Sequence, residues 1–195
     1  MRTGINILLI LITAFLVYLL INSVREPISF SSELDRRKDA VIAKLKKIQT
    51  AQDVYRMVTG KYANNFDSLS SALNSGKIKI EKLDADPTDP TNQDKFIKTV
   101  SFREAKDSLY SLVGSPFNLD SLRYVPFGEG KTFSIDADTL THQNNLVNVV
   151  EVGIKYKDFM GKFADEKYKK YDKFYDPEKL LKFGDMNSPN TNGNW

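Results

Sequence analysis

The chain has no cysteine. Disulfides, thiolate metal centres and thiol nucleophiles are thereby excluded. A single histidine, His142, excludes any catalytic or metal cluster built on several imidazoles. Charge of one sign is also scarce: 28 Lys and Arg against 25 Asp and Glu leave a net +3 over 195 residues. So small a surplus leaves no electrostatic footprint for nucleic acid. There is no internal repeat. The length suits one domain with an extra element better than two full domains.

What the chain does have is one long apolar run. Residues 5–21, INILLILITAFLVYLLI, carry no charge, and Asn6 is their only strongly polar member. Extended through Val24 the run reaches twenty residues. At about 1.5 Å per residue that spans about 30 Å, the hydrocarbon thickness of a bilayer. Tyr18 lies near one end, where interfacial aromatics gather. Ile21-Asn22-Ser23 is a poor match to the small residues of a signal-peptidase site, so residues 1–24 are expected to form an uncleaved transmembrane anchor. Arg2 faces Arg25, Arg36, Arg37 and Lys38 across the span, a balance that by itself would keep the following domain in the cytoplasm.

Glu26-Pro27 predicts a break after the span, because proline lacks an amide donor and clashes with the preceding turn. Residues 25–31 are therefore read as a linker. Ser32-x-x-Asp35 then offers a helix cap. Leu34, Val41, Leu45, Ile48, Tyr55 and Val58 follow at helical spacing, with Ala51, Gln52 and Val54 between them. This predicts an amphipathic helix of about 25 residues ending at Gly60.

Beyond it, 66–74 reads as a short helix and 77–80 as a strand. The stretches 96–102, 108–113, 121–127, 131–140 and 147–156 read as further strands, bounded by Gly, Asn or Pro. Together they predict an α+β fold in which the long helix covers an antiparallel sheet of about four to six strands. The α+β domain is placed at 32–160. Residues 161–183 form a helical segment rich in aromatics and charge, and 184–195 a flexible tail. Tyr168, Tyr171, Phe174 and Tyr175 form an apolar edge that either docks on the chain's own core or binds a partner. Trp195 either tucks back or meets a partner.

An N-terminal membrane helix, then Leu45, Ile48, Ala51 and Tyr55, then Gly60 and Tyr62, then Phe66-Asp67-Ser68-Leu69, resembles type IV pilins and type II secretion pseudopilins over roughly residues 1–75. The resemblance implies a pilin-like fold in which Tyr55 and Tyr62 clasp the turn leaving the helix. It also implies a membrane helix that continues into the next one, which the Pro27 reading opposes. It implies a single-pass protein of the bacterial inner membrane with a periplasmic domain. Its partners would be other subunits of a secretion or motility machine.

Candidate chemistry is thin. Gly130-Lys131-Thr132 lacks the glycine a phosphate loop needs five positions earlier, where Val125 stands, so it reads as a turn and no nucleotide is expected. Asp84, Asp86 and Asp89, with Asp94, lie in a Pro-rich loop. They can gather round calcium, as in a loop of some pseudopilins, or simply form a solvated acidic turn. Asp136 and Asp138 alternate along one strand face, and His142 sits in a polar turn. Nothing selects a catalytic constellation, so no enzyme and no cofactor beyond calcium is expected. The leading expectation is an anchored, non-enzymatic envelope subunit; the alternative is a membrane-tethered module binding a ligand or calcium.

Overall fold

The computed structural model describes residues 2–85 and 96–195. Its dominant element is helix α1, Arg2–Thr59, 58 residues without interruption. At about 1.5 Å per residue it is about 87 Å long. Its two halves differ in surroundings. Along residues 5–24 the large apolar side chains are all exposed, while Phe30, Val41, Leu45, Ile48, Ala51 and Val54 are fully buried. The recurrence of three and four along that second set is the stripe that the sequence predicts, begun one turn earlier at Phe30. The helix ends where expected. Gly60 takes φ +82°, and its amide donates to the Arg56 carbonyl at 2.8 Å.

The linker expected at 25–31 is corrected: these residues are helical and Pro27 lies inside α1. Proline removes one backbone bond, at a cost of about 3 kcal/mol in a helix interior. Two features offset it. The bond lost is the one to Ser23, whose surroundings are exposed, and Phe30 and Leu34 anchor the helix into the core just above.

Three short elements pack on one flank of α1. Helix α2, Phe66–Ser75, is capped by the Asn65 side chain, which accepts from the Ser68 amide at 2.7 Å. Helix α3, Ala105–Val113, buries Ala105 and Leu109 and stops at Gly114 in the left-handed region. A 3-10 turn at Leu119–Arg123 buries Leu119 and Leu122. The Ser70 hydroxyl donates to Asp120 at 2.7 Å, and Arg123 pairs with Asp67, so α2 and this turn are tied together.

The single large sheet is also corrected, to two small antiparallel ones. Strands β1, Lys77–Ala85, and β2, Phe96–Glu104, form a two-stranded ribbon. Strands β3, Ser134–His142, β4, Asn145–Lys155, and β5, Leu180–Gly184, form a sheet in the order β3-β4-β5. Two expected strands are helical. In 108–113 the Ala105, Leu109 and Val113 spacing is four, a helical repeat that alternation in a short apolar run conceals. In 121–127 the Asn118 side chain caps the 3-10 turn instead, and Val125 turns toward the core.

The central strand β4 buries Val149, Val150, Val152 and Ile154 in near succession, because it is covered on both faces. A two-residue turn at Gln143-Asn144, both with positive φ, joins β3 to β4 with His142 paired to Asn145.

The last third departs most from expectation. Residues 161–183 are two 3-10 turns, Gly161–Phe163 and Glu166–Lys170, and a path into β5, rather than one helix. Aspartates cause the interruptions. Asp165 and Asp172 accept from the backbone amides two residues ahead, each at 2.8 Å, and close local turns. The tail is ordered against β5. The Gly184 amide donates to the Asn192 carbonyl at 3.0 Å, and Asn194 exchanges bonds with Lys182 and Leu180. Gln49 of α1 donates to the Thr191 carbonyl at 2.8 Å. Trp195 tucks back and packs on the core. The edge of β5 is thereby covered.

Candidate functional site

The feature with the most functional content is the place where α1 leaves its exposed apolar half and enters the head. Phe30 is wholly buried and is the centre of an aromatic cluster. Its ring stacks on Tyr168 at 5.5 Å with planes 3° apart, and meets Tyr175 at 5.0 Å and Phe163 at 5.7 Å edge-on. Tyr171 lies 6.0 Å away, tilted. Residues 161–175 thus pack on the Phe30 face of α1 as a partial collar. Aromatic pairs of this kind contribute about 0.5–1.5 kcal/mol each beyond the area they bury.

Polar contacts fix the collar's height on the helix. The Tyr171 hydroxyl donates to Glu26 Oε2 at 2.7 Å, and the Tyr175 hydroxyl donates to the Phe163 carbonyl at 2.7 Å. Burial pushes the Tyr175 phenol up to about 12, with the nearby carboxylates of Asp176 and Asp165 adding to it. Above the collar, Arg37 donates to the Phe159 carbonyl at 2.6 Å and to Glu33 at 2.8 Å. The two guanidinium groups of Arg36 and Arg37 each lie 5.0 Å from the centre of the Phe127 ring. Hydrogen bonds from Arg37 and Arg36 hold the Glu33 carboxyl below the usual carboxylate range.

Of the aromatic residues that the sequence singles out, Tyr168 and Tyr175 are buried in this cluster, Tyr171 is half-buried, and Phe174 is 81% exposed. The edge therefore docks on the chain's own helix, and Phe174 alone of the four is fully presented outward. Trp195 lies with the tail and is not brought together with them. Of the calcium candidates, Asp84 belongs to β1, whereas Asp86, Asp89 and Asp94 lie outside the described residues. Among the described residues no group of three His, Asp or Glu is placed to hold a metal. Asp136, Asp138 and His142 are exposed along β3 and its turn.

At the other end of the head, two grooves flank the end of α1. One, of about 260 Å³, is lined by Tyr55, Lys61, Tyr62, Asp138 and Asn148. The other, of about 670 Å³, runs past Asp53, Arg56, Met57 and Thr191. Burial raises the Asp53 carboxyl above its ordinary range. Between them the turn after α1 is held by a residue whose role sequence reasoning missed. The Gln52 side chain is buried, donates to the Ala63 carbonyl and accepts from the Ala63 amide, both at 2.9 Å. Tyr62 contributes through Arg56, which donates to its hydroxyl at 2.9 Å. Among the described residues no buried side-chain nitrogen or oxygen lacks a partner.

No family model, curated protein or solved structure matches the chain. The site's meaning therefore rests on its own geometry. That geometry is one helix long and apolar enough to cross a membrane, unburied along its apolar window, topped by an aromatic collar.

Proposed function

We propose that this chain is a membrane-anchored, non-enzymatic subunit of a bacterial envelope assembly, similar to a pseudopilin or an accessory subunit of a secretion or motility machine. Residues 5–24 lie in the inner membrane, and the head acts in the periplasm by touching other subunits. The observation that carries the reading is the exposure of every large apolar side chain in the run on a helix that enters the core unbroken. A surface so large and so uniform is not left in water by soluble proteins. The unbroken passage through Pro27 adds support, since it joins span and head as one rod in the layout the resemblance implies. The two-stranded ribbon of β1 and β2, with Val100 and Phe102 exposed, offers the head a face for a neighbouring subunit.

The test is purification of the full-length chain in mild detergent, with identification of what accompanies it. The expected result is resistance to alkaline extraction from membranes and recovery with companion subunits in fixed ratio. Topology is read by introducing the chain's only cysteine as Ser71→Cys, at an exposed head position. Labelling by a membrane-impermeant maleimide in intact spheroplasts is expected. A lone chain released by alkali, or a head labelled only after lysis, would defeat the proposal.

A further inference from the structure

The collar has a second side. Residues 161–175 carry five lysines against three carboxylates, and Arg25 stands beside them on α1. Lys169 is paired with Glu166 and Asp176. Arg25, Lys162, Lys167, Lys170 and Lys173 are exposed and, among the described residues, belong to no ion pair. Three of them hang over the collar's rings: Lys162 over Phe163 and Lys167 over Tyr168 at 4.9 Å, and Lys170 over Tyr171 at 4.5 Å. The cations therefore rim the aromatic cluster instead of being neutralised within the fold.

Two surfaces meet at this rim. One, a cavity of about 370 Å³, is lined by Arg25, Glu26, Ser29, Lys162, Phe163 and Tyr168. The other is an open apolar surface that runs down α1 along Leu20, Ile21, Val24 and Ile28. Arg25 and Ser29 line both. The upper cavity is lined by two cations and two hydroxyl residues, Ser29 and Tyr168, with its one carboxylate, Glu26, engaged by Tyr171. The lower one is lined mostly by hydrocarbon, with Arg25 and Ser29 only at its upper edge. An anion with an alkyl tail matches this pair of surfaces, and a free inorganic anion matches only half of it.

Height decides the source of that anion. Resting on the reading that residues 5–24 span the bilayer, Glu26 stands about 3 Å and Ser29 about 7.5 Å above Val24. That is the headgroup layer, which adds roughly 5–8 Å to each side of the hydrocarbon. We infer that the cavity between Arg25 and Lys162 binds the phosphate of an anionic phospholipid, with an acyl chain along Leu20, Val24 and Ile28. The remaining lysines and the exposed Phe174 rest on the surrounding lipid surface, as cations and aromatics at a bilayer interface do.

The experiment reconstitutes the full-length chain in nanodiscs of mixed phosphatidylcholine and phosphatidylglycerol and measures by native mass spectrometry which lipids stay bound on release. Phosphatidylglycerol is expected to be retained well above its share of the disc. Arg25→Gln with Lys162→Gln is expected to cut that enrichment about fivefold per cation removed, from about 1 kcal/mol for each charge near the surface. Arg25→Lys with Lys162→Arg is expected to keep it, and circular dichroism of each variant checks the fold. Added inorganic phosphate should leave lipid retention unchanged; displacement by it would mean a site for free phosphate and overturn the lipid assignment. Retention in proportion to disc composition, or unchanged in the double glutamine variant, would overturn the inference while leaving the anchor intact. Alkaline extraction of the same sample tells the two failures apart, because a chain that washes off has lost the span itself.

Discussion

Gln52 is the residue on which the far end of the head turns. Its amide reproduces, with both polar atoms, the pairing that a neighbouring strand would give Ala63. Gln52→Leu keeps the volume and removes both bonds, leaving a buried amide and carbonyl unsatisfied. The expected cost is about 2–4 kcal/mol, read as a shift in denaturant midpoint without a change in slope. Tyr175 makes a prediction of another kind. Its folded pKa is raised to about 12 from the ordinary 10.0, so the folded state keeps a proton that the unfolded state gives up. Stability from this group is present below about pH 10 and falls as pH rises toward 12. Chemical denaturation across that window should show the decline, and Tyr175→Phe should flatten it. These two roles were unequally legible. A tyrosine at helical spacing from other aromatics announces burial, whereas a glutamine inside an apolar stripe looks the same whether it bonds a distant backbone or faces water.

At the scale of elements, the collar and α1 hold one another. Phe30 contacts four aromatic rings of residues 161–175, so Phe30→Ala removes the centre of the cluster. The expected loss is about 3–5 kcal/mol. It should be accompanied by a downward return of the Tyr175 pKa, measured by tyrosinate absorbance, because the ring loses its cover. A variant that loses stability with Tyr175 unchanged would show that the collar closes without Phe30. The apolar run, the buried stripe of α1 and its Gly60 stop were readable in the sequence, since length and period are properties of the chain alone. Pro27 was misread because its local penalty is certain while the anchoring that offsets it, at Phe30 and Leu34, is tertiary. The strand at 108–113 was misread because six apolar-rich residues fit either period. The helix at 161–183 failed because Asp165 and Asp172 bond their own backbone.

At the scale of the molecule, span and head share a helix and little else. None of the apolar side chains in the run contributes to the core, so the head should not need them to fold. A chain lacking residues 1–24 is expected to be soluble and to melt within about 4 °C of the full-length protein in detergent. Aggregation, or a much lower midpoint, would show that the anchor takes part in the fold. The α+β class and the long apolar N-terminal helix were visible in the sequence; the division into two small sheets and the ordered tail were not. Both depend on backbone pairings that only the folded chain brings together, such as Val152 with Phe183 between β4 and β5, and the Asn194 amide with the Lys182 carbonyl.

One consequence follows from the unbroken course of α1 through Pro27. A rod with 3.6 residues per turn has a phase as well as a length. Inserting one residue just after Val24 would swing everything above it by about 100° around the rod axis and raise it by about 1.5 Å. The compass bearing of the head relative to its neighbours is thus written in the residue count of a single short stretch, and a one-codon change there would re-aim the whole domain without touching any of its contacts.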